Sequence, residues 1–224
     1  MTRDELARLL DHSVLKPEST AAEIEDGANV VRAWRIGQYC VQPCWVPAAT
    51  RALAGTGALV VSVVGFPHGG DRADVKARAA ELAIGDGARE IDMVLAFGLL
   101  RSGEAARAEA DVAAVVRASM GVPVKVVLEA GALTDDEKRL ACRIAVNAGA
   151  AFVKTSTGFH PSGGATVADV RLMREAVGPS IGVKASGGLR TLAEAQAMLA
   201  AGANRLGTSA SAAILAALRP VAGH

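Results

Sequence analysis

Cysteine is scarce in this chain. Cys40, Cys44 and Cys142 are the only three, too few for a disulfide framework. No second Cys/His pair stands at ligand spacing from Cys40 and Cys44, which argues against a structural zinc site. The simplest reading is reduced thiols in a cytoplasm. Aromatic residues make up only 3%, and Trp34 and Trp45 read as packing residues. An excess of charge is missing too: 24 Lys and Arg face 23 Asp and Glu, for a net charge of +1. No block of like charge stands out, so nothing supports a nucleic-acid or anionic-membrane surface. Long hydrophobic runs are absent. The longest uncharged stretch, residues 52–70, is interrupted by Gly55, Gly57, Gly65 and Pro67 and reads as a buried strand rather than a membrane span. The first six residues, MTRDEL, are charged and amphipathic. They suit a short N-terminal helix and not a secretory signal. His12, His68 and His160 show no H-x-H or H-E-x-x-H spacing, so no metal and no cofactor are expected.

What is present is apolar and rich in glycine. Of 224 residues, 51% are hydrophobic and 24 are Gly. Such a chain can bury a large core, which excludes intrinsic disorder. The length suits one domain over residues 1–224, with no linker or composition shift to divide it.

Short apolar runs alternate with alanine-rich stretches. Strands are expected at 39–41, 59–64, 90–94, 124–128, 151–154, 181–184 and 204–207, with a weaker one at 9–15. Except for the first they lack clean alternation, as parallel strands buried on both faces do. Helices are expected at 20–35, 74–84, 102–120, 134–148, 167–176, 191–200 and 209–218, with a short one at 47–53. Gly-Ala pairs precede several strands, at Gly57, Gly87, Gly149 and Gly202, where a helix end calls for a left-handed residue. Eight such units describe an α/β fold of the TIM (β/α)8 barrel type.

In that barrel, chemistry belongs where strands end and loops begin. Lys154 and Lys184 stand at the ends of successive strands. The chain uses only six lysines against eighteen arginines, so a strand-end lysine suggests a role that arginine cannot fill, such as a Schiff base. An ordinary lysine is only about 0.1% neutral near pH 7.5. A second ammonium about 5 Å away costs roughly 3 kcal/mol at an effective dielectric near 20, which lowers an amine pKa by about two units. A lysine pair is therefore a device for making one amine nucleophilic. In the competing arrangement, one lysine binds phosphate and the other pairs with a carboxylate.

The Gly/Ser/Thr loops after Lys154, Lys184 and strand 8 offer backbone N–H groups at helix starts, where phosphate binds. Gly187, Gly188 and Ser209 follow strands 7 and 8, the usual phosphate position of such barrels. Glycines there also serve simple tight turns. Asp92 sits inside an apolar strand and needs a cationic partner; it suits either a proton shuttle or a structural ion pair. Lys125 and Glu129, four apart, point to one side. Lys125 is a candidate for a Lys–Asp–Lys network, and Glu129 reads as structural. Cys40 reads as pocket lining rather than a nucleophile.

These motifs together resemble the deoxyribose-phosphate aldolase family, class I aldolases. The matching segments are Lys154-Thr155-Ser156-Thr157-Gly158-Phe159, Gly182-Val183-Lys184-Ala185-Ser186-Gly187-Gly188, and the ordered stretches at 10–17, 63–67, 90–94 and 125–129. The resemblance spans roughly residues 9–214. It implies a metal-independent aldolase on a TIM barrel that reversibly cleaves 2-deoxy-D-ribose 5-phosphate to acetaldehyde and D-glyceraldehyde 3-phosphate. It also implies Lys154 as the Schiff-base lysine, Lys184 as its pKa-lowering partner in proton transfer, and Asp92 as proton donor and acceptor. Asp11 and Cys40 become pocket residues. Gly187, Gly188 and Ser209 fall at the phosphate site, and Thr157 joins the substrate-binding set. Partners are then a phosphosugar and acetaldehyde, with a homodimer as the family habit. The chain departs from the family pattern at Ser13, Gln42, Leu95-Ala96-Phe97, Ala130-Gly131-Ala132 and Ala210, and its tail, 219–224, carries no tyrosine. Two rivals keep the barrel but not the Schiff base: a phosphosugar isomerase or synthase, and a catalytically silent phosphosugar-binding protein.

Overall fold

The computed structural model describes residues 1–218. Eight parallel strands close a barrel in sequence order. They are β1 (Leu10–Val14), β2 (Gln38–Val41), β3 (Leu59–Val64), β4 (Glu90–Val94), β5 (Val124–Val127), β6 (Phe152–Lys154), β7 (Gly182–Ser186) and β8 (Arg205–Thr208). Helix α1 (Arg3–Arg8) precedes the barrel, with Leu6 and Ala7 fully buried. The others lie between or after the strands: α2 (Ala21–Trp34), α3 (Val46–Ala52), α4 (Ala73–Gly85), α5 (Phe97–Arg101), α6 (Ala105–Ala118), α7 (Asp135–Asn147), α8 (Val167–Val177), α9 (Leu192–Ala200) and α10 (Ser211–Ala217).

Local chemistry sets many of these boundaries. Helices α2, α7 and α9 open on capping boxes, with Thr20, Thr134 and Thr191 bonded reciprocally to Glu23, Glu137 and Glu194. Such a cap contributes about 1 kcal/mol. Three Gly-Ala pairs end helices identically. Gly87, Gly149 and Gly202 take φ of 114°, 87° and 111°. Each following alanine N–H reaches back to Ala83, Ala145 or Met198, closing a Schellman motif. Gly57 belongs to a longer turn instead, where Ala58 N–H donates to Thr56 Oγ1.

Most boundaries fall within two residues of the sequence expectation, and the largest difference precedes α6. The helix expected over 102–120 is α6, which starts only at Ala105, and the short helix α5 before it was not expected. Gly103, at φ 77°, turns the chain out of α5, and the Ser102 hydroxyl donates to Gly98 O. At its far end α6 stops at Ala118, because Met120 and Gly121 also adopt positive φ. The fifth strand stops at Val127 rather than 128, and Glu129 lies at φ 55°.

The strands are buried on both faces, each with its own chemistry. Outward residues such as Tyr39, Val60, Ile91, Met93, Val126, Val153, Val183 and Leu206 join the main core against the helices. Inside the barrel, Cys40, Val61 and Val63 form a small apolar cluster with Leu15 and Phe66. The inward positions of β4 to β8 and β1 are largely charged. Phe152 faces inward below them, with Lys125 Nζ 5.9 Å and Arg205 Cζ 5.4 Å from its ring centroid. Gly182 makes room for that ring, since a Cβ there would lie 2.0 Å from it. Gly182→Ala is expected to lower stability by about 1–3 kcal/mol through overpacking. Urea unfolding should show a lower midpoint at unchanged slope.

Candidate active site

Strand parity builds the site. Lys154 and Lys184 stand opposite each other in the β6–β7 register, as do Asp92 and Lys125 between β4 and β5. All four side chains point into the barrel and meet there. Lys154 Nζ and Lys184 Nζ both lie 2.8 Å from Asp92 Oδ2. The two amines are therefore separated by no more than twice that distance. Lys125 Nζ lies 2.9 Å from Asp92 Oδ1 and 2.6 Å from Glu90 Oε2. Lys184 also pairs with Asp11 Oδ2. Arg205 Nη1 reaches Asp11 Oδ1 at 3.1 Å and Glu90 Oε2 at 3.3 Å. Gly207 leaves space for this packing, because a Cβ there would meet Lys184 Cε at 3.0 Å.

Four cations thus surround three carboxylates in the buried interior. Burial alone raises an acid's pKa and lowers an amine's. For Asp92 the three neighbouring lysines overcome burial and hold the carboxyl well below the usual carboxylate range. Asp11 is lowered in the same way by Lys184, Lys125 and Arg205. Lys184 is raised, since Asp11 and Asp92 outweigh its own burial. Lys125 is raised for the same reason, chiefly by Asp92. Lys154 has one carboxylate contact, shared with two other lysines, and it lines the cavity.

That cavity, about 660 Å³, opens above the lysines. It is lined by Lys154, Lys184, Cys40, Thr157 and the loops carrying Gly187, Gly188 and Ser209. Gly187 and Gly188 adopt φ of 89° and 81°. Gly187 also packs against loop backbone, with Gly164 Cα only 3.0 Å from a notional Cβ. Among the described residues, the N–H groups of Gly187, Gly188 and Ser209 donate to no other protein group, which leaves them available to an anion. Asp11 is fully buried and touches Lys184 and Arg205, below the cavity lining. A larger cleft of about 990 Å³ lies beside α5 and α6. Asp111 lines it and pairs through Oδ2 with buried Lys76 at 2.7 Å, and Lys76 also donates to Val94 O at 3.0 Å. The smaller cavity holds the amines, and chemistry rather than size selects it.

The remaining candidates find structural places. Glu129 accepts from the Thr157 hydroxyl at 2.5 Å, and Thr157 Oγ1 accepts from Phe159 N–H. That hydroxyl is held by the loop itself. Gln42 donates to Leu15 O at 3.0 Å and ties the β1 and β2 loops together. Phe97 meets His160 edge-on, at 6.0 Å between ring centroids. His12 packs between Tyr39 and Ser211, and burial pushes its pKa down to about 4. Residues 219–224, including the tyrosine-free tail, lie outside the described residues. Among the described residues no cluster of three or more His, Cys, Asp or Glu could hold a metal ion.

Burial, reinforced by Asp92, pushes the Cys40 thiol up to about 12. A thiol is nucleophilic only as thiolate, so Cys40 lines the cavity without reacting. Iodoacetamide at pH 8 is expected to label exposed Cys44 and spare Cys40. Peptide mapping that found Cys40 labelled first would contradict this.

Two residues of the charged interior, Glu90 and Arg205, were not singled out from the sequence. The available signal was parity: Glu90 lies two before Asp92, and Arg205 two before Gly207. Both therefore share the inward face.

Comparison with known proteins agrees with the barrel fold. Residues 6–217 match the family model described as DeoC/LacD family aldolase. A deoxyribose-phosphate aldolase of Streptococcus equi subsp. zooepidemicus is 50% identical over 208 residues, covering 93% of this chain and 94% of the relative. One from Streptococcus pneumoniae serotype 19F is 51% identical over 210 residues, covering 94% and 95%. Among solved structures, an aldolase named QR15 aligns with TM-score 0.90 at 34% identity over 95% of both chains. The tetrameric deoxyribose phosphate aldolase of Aeropyrum pernix aligns with TM-score 0.90 at 28% identity, over 96% of this chain and 92% of that one.

Proposed function

The chain belongs to the DeoC/LacD aldolase family, and on that premise we propose that it reversibly cleaves 2-deoxy-D-ribose 5-phosphate to acetaldehyde and D-glyceraldehyde 3-phosphate through a Schiff base on Lys154. The observation that carries the residue assignment is the meeting of Lys154 and Lys184 on one oxygen of Asp92. A phosphate-binding lysine would stand beside the free loop N–H groups at the cavity mouth, whereas Lys154 is 3% exposed at the base of the cavity, on Asp92.

The chemistry follows from the positions. Neutral Lys154 attacks the C1 aldehyde and forms a carbinolamine, which loses water to an iminium. The iminium is an electron sink. A base removes the C3 hydroxyl proton, the C2–C3 bond breaks, and glyceraldehyde 3-phosphate leaves. The enamine that remains takes a proton at C2, and hydrolysis releases acetaldehyde and Lys154. Asp92 is the group placed to exchange these protons, directly or through water. Its lowered pKa means that it passes a proton on rather than storing it. Lys184 stays cationic beside it and supports charge at the reacting nitrogen's neighbour. The free N–H groups of Gly187, Gly188 and Ser209 would hold the phosphate, some distance from the amines along the cavity.

Borohydride trapping with the sugar phosphate tests the reading. The expected result is a reduced adduct on Lys154, found by peptide mapping, together with acetaldehyde release when borohydride is omitted. Binding without an adduct would return the isomerase or binding-protein alternatives. A homodimer and a cytoplasmic location complete the proposal. Exposed Val75 and Leu82 on α4 offer a face for self-association. No described helix is long and apolar enough to cross a membrane.

A further inference from the structure

The charged interior closes into a ring. Asp92 Oδ1 meets Lys125, Lys125 meets Glu90, Glu90 meets Arg205, Arg205 meets Asp11, Asp11 meets Lys184, and Lys184 returns to Asp92 Oδ2. Three acids alternate with three bases, so the ring balances itself. Lys154 is attached at Asp92 Oδ2 but is not a member. Of the four interior cations described, it alone contacts a single carboxylate. Glu90 and Arg205 line no part of the cavity, and neither can touch a substrate there. They sit on the Phe152 side of the ring, with Arg205 over the Phe152 ring.

We infer that Glu90 and Arg205 are positioning residues that close this ring and set the charge under which Lys154 gives up its proton. The ring holds Asp92 from both sides, through Lys125 and Lys184, so that its oxygens cannot turn away from Lys154. It also keeps the surrounding charge at zero. Removing one member by an isosteric neutral residue unbalances the ring with a predictable sign.

Other groups near Lys154 do not change the argument. His12, on β1, stays neutral and Cys40, on β2, stays a thiol across pH 6–9, because burial sets them at about 4 and about 12. Glu129 is bonded to Thr157. Lys16, Glu23, Asp26 and Arg190 line the outer cavity, and the substitutions below leave them as they are.

The inference rests on Lys154 as the Schiff-base lysine. The experiment measures the pH dependence of kcat/KM and of the borohydride trapping rate, in parallel, for the wild-type enzyme and its variants. Glu90→Gln leaves a surplus positive charge and is expected to move the acidic limb of both profiles to lower pH. Arg205→Met leaves a surplus negative charge and is expected to move it to higher pH. Each shift should be about one pH unit for a charge some 8–10 Å away at intermediate dielectric. Arg205→Lys keeps the charge and should leave the limb near its wild-type position. The double variant Glu90→Gln/Arg205→Met, neutral again, should also return the limb. A merely structural role would lower activity in all four without opposite displacements. Shifts of the same sign, or limbs that stay put in the folded Glu90→Gln and Arg205→Met enzymes, would overturn the inference. If one single variant does not fold, the other decides it: a limb displaced in the direction given for that charge supports the ring, and an unmoved or oppositely displaced limb rejects it. Absence of trapping in the wild-type enzyme would reject the Schiff-base reading itself, whereas normal trapping with unmoved limbs rejects only the ring.

Discussion

Lys154→Arg is expected to lower kcat by at least about 10⁴ while the protein keeps its fold. At 1.36 kcal/mol per decade that is about 5.5 kcal/mol of lost transition-state stabilisation. The guanidinium keeps the positive charge opposite Asp92 but cannot be deprotonated at any working pH, so no imine forms. The thermal midpoint should change little if the longer side chain extends into the cavity, which has room for it. Steady-state acetaldehyde release and the borohydride adduct are the readouts, with ligand-induced thermal stabilisation as a control for intact binding. A variant that still released acetaldehyde at more than a hundredth of the wild-type rate would remove Lys154 from the mechanism. Lys184→Arg separates the two amines: it should weaken turnover while leaving some adduct on Lys154, because the nucleophile remains.

Asp92→Asn carries the other large effect, and here activity and stability fall together. The amide keeps the shape but withdraws the only carboxylate that three lysines share. Breaking a buried ion pair from one side typically costs about 3–5 kcal/mol, because the partner charges stay buried and uncompensated. Loss of a proton-transfer group adds a factor of about 10²–10⁴ in kcat. The stability loss has a defined pH signature. Asp92 and Asp11 have lowered folded-state pKa values, so the stability they contribute is present above the unfolded value, near 3.8. It fades as pH falls through the lower folded values. Lys184 is raised above its unfolded value of 10.5, so its contribution is full below that pH and fades only as pH rises through the folded value. Between about pH 5 and 9 these three groups leave stability flat. The gap between wild type and Asp92→Asn, measured by urea unfolding, should therefore be constant across that window and shrink in acid. A gap that grew toward acid would contradict the ion-pair account.

Much of the fold is legible in the sequence, and the reason is local. Thr20, Thr134 and Thr191 carry their own glutamates three residues on, so helix starts are encoded within a single turn. Gly87, Gly149 and Gly202 mark helix ends because only glycine takes those φ values without strain. Eight apolar runs separated by helices leave few topologies other than a parallel barrel. The late start of the helix expected over 102–120, and the short α5 before it, were less visible. Ser102 reads as a helix start by type, yet it ends α5, where its hydroxyl donates to Gly98 O and Gly103 turns the chain at φ 77°.

The site divides along the same line. Residue type and strand position were enough to single out Lys154, Lys184 and Asp92, because lysine is rare here and an aspartate inside an apolar strand needs a cation. What the sequence determined was which groups are candidates for chemistry and that they stand on inward-facing strand positions. Only the tertiary structure decided who meets whom. Closure of the barrel brings β1, β4, β5, β6, β7 and β8 together, so that residues up to 194 positions apart, such as Asp11 and Arg205, share one hydrogen bond. Glu90 and Arg205 look like ordinary charges in the chain and acquire their role only when that circle closes. Strand propensity and capping are short-range and can be read residue by residue, whereas the pairing of buried charges depends on register and shear across the whole barrel.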